Sequence, residues 1–229
     1  MAISVRSVTT DMVGGASVSV TTPSAQTGDL IVVILSSDFY DTSAFQIDSI
    51  TPSVTLNAVA GLTVSNSDAN IKVWWGVAGS NTTYAVQGST GHSDEEKAIA
   101  VYLLSGADTS SPIDGTNTAT FASNGNVTVP AISPSSSNAF MLVHVQQQGA
   151  GNDNVYGLPG TLSQQYSDTD GTFSRILGAS RQLSASGSTG TFTITQSRTD
   201  VKWGLSVFGV KTASGGGGGN SAVAGWFRA

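Results

Sequence analysis

The sequence predicts an all-β protein, a two-sheet β-sandwich of jelly-roll-like type. Helical periodicity is almost absent, while short apolar runs recur between clusters of Gly, Ser, Asn and Pro. Such runs are typical of strands joined by turns. The order of the runs in the first half of the chain is repeated in the second half. A length of 229 residues suits one large sandwich, since all-β domains of this size are common.

Hydroxyl side chains take the place of charges in this chain. It has 34 Ser and 26 Thr, whereas only 10% of its residues are charged, compared with roughly 25% in an ordinary soluble domain. Thr suits the pleated surface of a sheet. We therefore expect Ser and Thr to occupy the outward strand positions and the turns.

Composition also argues against several classes of partner. The formal net charge is −6, and the nine Lys and Arg residues are scattered, so we expect no nucleic-acid binding. The chain has no Cys, which excludes disulfides and zinc sites built on thiolates. The longest apolar run, residues 30–35, is only strand-sized, and we expect no membrane insertion. Residues 1–6 show no secretory signal pattern.

Thirteen strands are predicted from the apolar runs. The run at residues 30–35 is continuously apolar, which is typical of a strand covered on both faces. In residues 71–78, alternation places Trp75 on the apolar face and Trp74 with Lys72 on the other. We therefore expect Trp75 in the core and Trp74 facing outward. In chain order the predicted strands are 3–8, 17–21, 29–36, 45–50, 54–64, 71–78, 84–87, 98–105, 127–129, 140–147, 173–183, 191–195 and 201–210.

An internal repeat organises these strands. Residues 18–21 and 29–33 resemble residues 127–130 and 139–143, and later runs follow in the same order. We interpret this as a duplicated unit, with repeat halves at about 16–108 and 125–212 of a domain covering residues 1–213. The joint at 106–116 is short and partly apolar, which favours one sandwich over two separate beads.

The final segment, residues 214–229, differs from the rest. Five consecutive glycines form a spacer, and a short apolar peptide containing Val223, Trp226 and Phe227 follows it. An unstructured terminus is one interpretation. The two aromatic side chains, which bury a large apolar area when they dock, favour the other. We expect this arm to pack on a neighbouring subunit or another protein, with Val223, Trp226 and Phe227 as binding residues.

Few residues are candidates for chemistry. His144 alternates with core-type residues and is expected to be structural, while His92 precedes an acidic cluster at residues 94–96. That cluster and the pair Asp168 and Asp170 could each bind a hard cation through carboxylate oxygens, but both lack a complete ligand pattern. The sequence therefore predicts no catalytic residue, no cofactor and no defined metal site, and the cation question stays open.

Aromatic residues are candidates for binding. Trp74 next to Lys72, together with Tyr40, Tyr156 and Tyr166, could stack on sugar rings. Subunit interfaces are enriched in the same residue types, so the sequence leaves both interpretations open.

Six segments together resemble a β-sandwich unit of virion structural proteins from tailed bacteriophages, notably those of actinobacterial hosts. The resemblance implies a non-enzymatic structural protein on the virion surface, assembled in the host cytoplasm. It implies a capsid decoration or minor capsid protein, or alternatively a minor tail protein that acts in host adsorption or glycan binding. Expected partners are capsid or tail subunits, further copies of the chain and a host-surface glycan. The segments are residues 17–23, 28–33, 74–78, 100–108, 111–114 and 203–207.

Overall fold

The protein is built from β-strands in the part of the chain that the structure describes. In this computed structural model, the described residues are 2–38, 44–65, 69–93, 96–121, 126–149, 156–170, 174–198 and 201–213. They form sixteen strands and one 3-10 turn at Ala60–Leu62. The strands are β1 (Ser4–Gly14), β2 (Ser17–Thr21), β3 (Leu30–Ser37), β4 (Gln46–Thr51), β5 (Asn57–Ala58), β6 (Asn70–Val77), β7 (Ala85–Ser89), β8 (Glu96–Ser105), β9 (Ile113–Phe121), β10 (Val127–Val129), β11 (Phe140–Gln148), β12 (Tyr156–Gly157), β13 (Ser163–Thr169), β14 (Ser174–Gln182), β15 (Phe192–Gln196) and β16 (Lys202–Val210).

Four antiparallel sheets arrange these strands in two halves. The first half has a five-stranded sheet in the order β1-β8-β3-β6-β5 and a three-stranded sheet in the order β2-β7-β4. In the second half the corresponding orders are β9-β16-β11-β14-β13 and β10-β15-β12. Each strand of the first half therefore corresponds to the strand of the second half whose number is higher by eight, as β1 corresponds to β9. The origin of the halves in one duplicated unit stays a prediction from the sequence.

The two five-stranded sheets pack against each other through a central cluster of apolar side chains. β3 contributes Leu30, Val32 and Ile34 to this cluster, while β11 and β16 of the other half contribute Leu142 and Phe208. Successive strand residues point to opposite faces of a sheet, so each five-stranded sheet has a second face to cover. The central cluster joins the halves into one body.

A three-stranded sheet covers the other face of each five-stranded sheet. In the first half, Ile31, Val33 and Leu35 of β3 pack with Val18 and Val86 of the three-stranded sheet, and we call this the first outer cluster. The second half has an equivalent outer cluster on β10, β11, β15 and β16. The result is four layers in the order three, five, five and three strands. Both faces of β3 are thus buried, as its continuously apolar sequence predicts.

The predicted all-β sandwich class is confirmed, and the structure has four sheets where the sequence predicted two. Strands β9, β12 and β13 were not predicted, because they are short or rich in polar residues. Instead of one strand over 54–64, the chain forms the two-residue β5 followed by the 3-10 turn. Among the described residues, no helix is long and apolar enough to cross a membrane.

Candidate binding site

A pocket of about 540 Å³ opens on one side of the first half, between β4 and β6. β4 is the edge strand of the three-stranded sheet, and β5 is the edge strand of the five-stranded sheet that faces it. β5 pairs with β6 through two residues only. The sandwich is therefore not closed on this side by a full-length strand, which leaves space between the two sheets.

The walls of the pocket are apolar because β4 contains a bulge. Ile47 lies opposite Gly88 and Ile50 lies opposite Val86, with a register shift between Ile47 and Ser49. Three positions apart in a regular strand, the two isoleucines would face opposite sides of the sheet. The extra residue in the bulge places both on the same side. Both line the pocket, together with Val54 and Leu56 from the connection to β5.

The floor of the pocket carries a positive charge over an aromatic ring. The Lys72 Nζ lies 5.3 Å from the centroid of the Trp74 ring and donates a hydrogen bond of 3.0 Å to the carbonyl oxygen of Phe45. An ammonium group has three donors, and no described carboxylate forms an ion pair with Lys72. The floor can therefore offer a cation and further hydrogen-bond donors to a ligand.

The rim of the pocket carries the opposite charge. Asp48, the residue in the bulge, is exposed, and its Oδ1 accepts hydrogen bonds from Gln46 Nε2 at 2.7 Å and from Ser89 Oγ at 2.9 Å. These two bonds hold the carboxylate at the pocket entrance. The site thus combines apolar walls, a cation at its floor and a carboxylate at its rim, which suits a ligand that is apolar with a polar or basic end.

The prediction that Trp74 faces outward was wrong. Alternation placed Trp74 on the same side as Lys72, which is correct, but Trp74 is only 7% exposed and belongs to the first outer cluster. The three-stranded sheet covers that side of β6. Trp75 is partly buried and packs against the central cluster. Trp74 lines the pocket floor. Because its ring is buried, it does not present an open face on which a sugar could stack.

A buried polar network lies in the joint between the halves. His144 Nδ1 is 2.5 Å from the Tyr166 hydroxyl, and His144 Nε2 is 3.2 Å from Ser36 Oγ. Burial lowers the pKa of His144 from 6.5 to about 3, and burial also raises the pKa of Tyr166. A serine next to an imidazole is a pattern used by hydrolases. Here all three side chains are at least 92% buried, so a substrate cannot reach them.

Asp168 and Asp170, two acidic candidates for cation binding, are used in hydrogen bonds of the described chain. Asp168 accepts hydrogen bonds from Thr10 Oγ1 and from the backbone N–H of Thr169, and Asp170 accepts one from the N–H of Ser174. Among the described residues, no group of three His, Cys, Asp or Glu side chains has a metal-binding arrangement. Asp94 and Glu95, and the arm residues Val223, Trp226 and Phe227, lie outside the described residues.

Sequence reasoning missed most of the pocket. Only Trp74 and Lys72 were singled out, and they were placed on an open surface. The available signal was the spacing of Ile47 and Ile50 in a short polar strand, which conflicts with simple alternation and indicates a bulge.

The chain matches no protein-family model, no curated protein and no solved structure.

Proposed function

We propose that this chain is a non-enzymatic structural protein on the surface of a tailed-phage virion, where it serves as a capsid decoration or minor capsid protein. The proposal rests first on the resemblance of six sequence segments to virion β-sandwich proteins. Three of those segments fall in β3, β6 and β8, which are adjacent strands of one sheet. A fourth, at residues 17–23, covers β2 in the sheet that packs against them.

Polar side chains that could take part in chemistry instead form hydrogen bonds between the two halves, which supports a structural role. Ser36 and His144 form a hydrogen bond that links the first half to the second. Thr10 of β1 and Asp168 of β13 make another polar link across the same joint. Ser206 Oγ also donates to the carbonyl oxygen of Leu62. These side chains fix the halves relative to each other, as a rigid building block requires.

The low charge of the chain also supports assembly. Only 10% of the residues are charged, so few charges need to be desolvated when a subunit packs against its neighbours. Hydroxyl groups keep the remaining surface polar.

The alternative function is that of a minor tail protein that acts in host adsorption. Trp74 does not support glycan binding by such a tail protein, because its ring is buried.

The copy number of the chain in purified particles tests this proposal. Quantitative mass spectrometry against the major capsid protein should find hundreds of copies per particle, because a decoration protein follows the capsid lattice. A few to tens of copies would favour the tail position. Absence of the chain from purified particles would contradict both. Cleavage of a host polysaccharide by the purified protein, lost in Glu96→Gln, would favour an enzyme instead.

A further inference from the structure

The pocket beside β4 has the features of a docking site for an extended peptide. Within the described residues, β4 pairs with β7 on one side only. The other side of an edge strand presents unpaired backbone N–H and C=O groups, to which an added strand can bind. Directly beside this edge lies the pocket, which has apolar side chains in its walls, Lys72 at its floor and Asp48 at its rim. An incoming strand could therefore form backbone hydrogen bonds and insert a side chain.

The chain itself contains a segment of matching chemistry, residues 222–228. In an extended strand, alternate residues share a face, so Trp226 and Arg228 would lie on one face together with two alanines. The alanine side chains on this face occupy little space, which leaves room for the indole ring. An indole ring is the best aromatic partner for an ammonium group, which matches Lys72 at the floor. Arg228 then matches the carboxylate of Asp48 at the rim.

The spacer sets how far the segment can lie from the end of the described chain. The described chain ends at Ala213, whose backbone N–H donates to the carbonyl oxygen of Gly106 at 2.8 Å. Residues 214–221 then span at most about 27 Å when fully extended, at roughly 3.4 Å per residue. A short flexible tether gives the attached segment an effective concentration in the millimolar range. For a pocket within that reach, even modest intrinsic affinity would keep the site occupied.

We propose that the pocket between β4 and β6 binds the C-terminal segment 222–228 of this chain, with Trp226 inserted against Lys72 and Arg228 next to Asp48. The segment adds a strand to the free edge of β4. This inference does not depend on the proposed location in a virion, because it concerns two parts of the same polypeptide.

Cysteine cross-linking of the full chain tests the proposal. The chain has no native Cys, so the double variant Ser53→Cys with Ala224→Cys carries only the two introduced thiols. Ser53 lines the pocket and is exposed. The matched control is Ser186→Cys with Ala224→Cys, since Ser186 is also exposed but lies in the connection between β14 and β15 of the second half. Far-UV circular dichroism confirms that each variant is folded.

Under mild oxidation, the pocket pair should form its disulfide at least about tenfold faster than the control pair, because docking raises the local concentration of the two thiols. The bridge can form within one chain or between two copies, which gel mobility distinguishes. Peptide mapping by mass spectrometry identifies the bond between positions 53 and 224, and only that bond is counted, because bonds joining like positions of two copies do not place the segment at the pocket. Adding Trp226→Ala should reduce the rate to that of the control pair. Adding Ser221→Ala should leave the rate within about twofold, because Ser221 belongs to the spacer and precedes the docking segment.

Equal rates for the pocket and control pairs would overturn the proposal and leave the pocket to an external ligand. A fast rate that is insensitive to Trp226→Ala would also overturn it, since the indole would then not be the inserted group. Neither outcome bears on the copy number of the chain in particles, so the two proposals fail independently.

Discussion

At the scale of single residues, the most consequential side chain is His144 in the joint between the halves. It contacts Ser36 of the first half and Tyr166 of its own half. Next to this network, the Tyr102 ring lies 5.8 Å from the Tyr166 ring, and burial raises the pKa of the Tyr102 hydroxyl. An added charge in this region would have little to compensate it, so the joint depends on a neutral imidazole.

The first prediction concerns acid sensitivity. The unfolded chain takes up a proton on His144 near pH 6.5, whereas the folded chain does so only near pH 3. This contribution to stability is therefore present above pH 6.5 and is lost as the pH falls towards 3, at about 1.4 kcal/mol per pH unit. Urea denaturation at pH 7, 6, 5 and 4 measures the slope.

His144→Gln provides the comparison for that slope. It retains a hydrogen-bonding side chain but cannot take up a proton. The carboxylates contribute equally to the pH dependence of stability in both proteins, so the difference between the slopes reports His144. The free energy of unfolding of the variant should fall less steeply below pH 6.5, by about 1.4 kcal/mol per pH unit. Identical slopes for the two proteins would show that His144 is not held neutral.

The second prediction concerns Gly178. It lies opposite His144 in β11 and opposite Tyr166 in β13. A Cβ at this position would overlap the Tyr166 ring, so Gly178→Ala must displace the tyrosine from His144. We expect a loss of about 1–3 kcal/mol in the free energy of unfolding, measured by urea denaturation.

Gly160→Ala is the matched control, because nothing lies within 4 Å of a Cβ built there. Its effect should stay within about 0.5 kcal/mol. Equal effects of the two substitutions would mean that backbone entropy, and not the Tyr166 contact, determines the cost.

At the scale of elements, the edge strands carry the features that sequence patterns missed. Asp114 is the second residue of β9 and is 6% exposed. The Asp114 carboxylate accepts hydrogen bonds from the backbone N–H groups of Ser135 and Ser136, at 2.9 and 2.8 Å. Burial alone would raise the pKa of Asp114, but these bonds hold it below its usual value of 3.8. The carboxylate thereby ties an edge strand to the turn between β10 and β11.

The third prediction follows from this link. Asp114→Ala leaves two backbone N–H groups of the turn without their acceptor, which should lower the free energy of unfolding by about 1–3 kcal/mol. Asp114→Asn retains one acceptor oxygen and should lose less. Thermal denaturation of both variants measures the order, and a larger loss in Asp114→Asn would contradict the assigned role.

At the scale of the whole molecule, the joint determines whether the halves are independent. Each five-stranded sheet places apolar side chains on the face towards the other half, among them Ile34 and Tyr102 of the first half and Leu142 and Phe208 of the second. Without its partner, a half would expose this face to water. Burial of apolar surface is worth roughly 25 cal/mol per Å², so the halves should depend strongly on each other for stability.

The fourth prediction is therefore cooperative unfolding. The full chain should unfold in a single calorimetric transition, with the calorimetric and van 't Hoff enthalpies in agreement. Gly178→Ala, which lies in the second half, should lower the midpoint of the whole transition. Two separate transitions, with only one of them moved by Gly178→Ala, would show that the halves are independent.

Much of the fold could be predicted because buried strands have a clear sequence pattern. β3, β8, β11 and β16 each contain a cluster of apolar residues, and their positions were predicted within a few residues. β9 and β13 are rich in Thr, Ser, Asn and Gln and lie at sheet edges. Such strands need not bury an apolar face, so their pattern resembles that of a loop.

The sequence by itself determined the all-β class, the positions of the central strands, the repeated order of the two halves and the structural character of His144. Only the tertiary structure decided that there are four layers, that Trp74 is covered, and that a bulge at Asp48 opens a pocket beside an edge strand. The reason is that alternation reports which residues share a face of a strand. What covers that face depends on contacts between strands far apart in the chain.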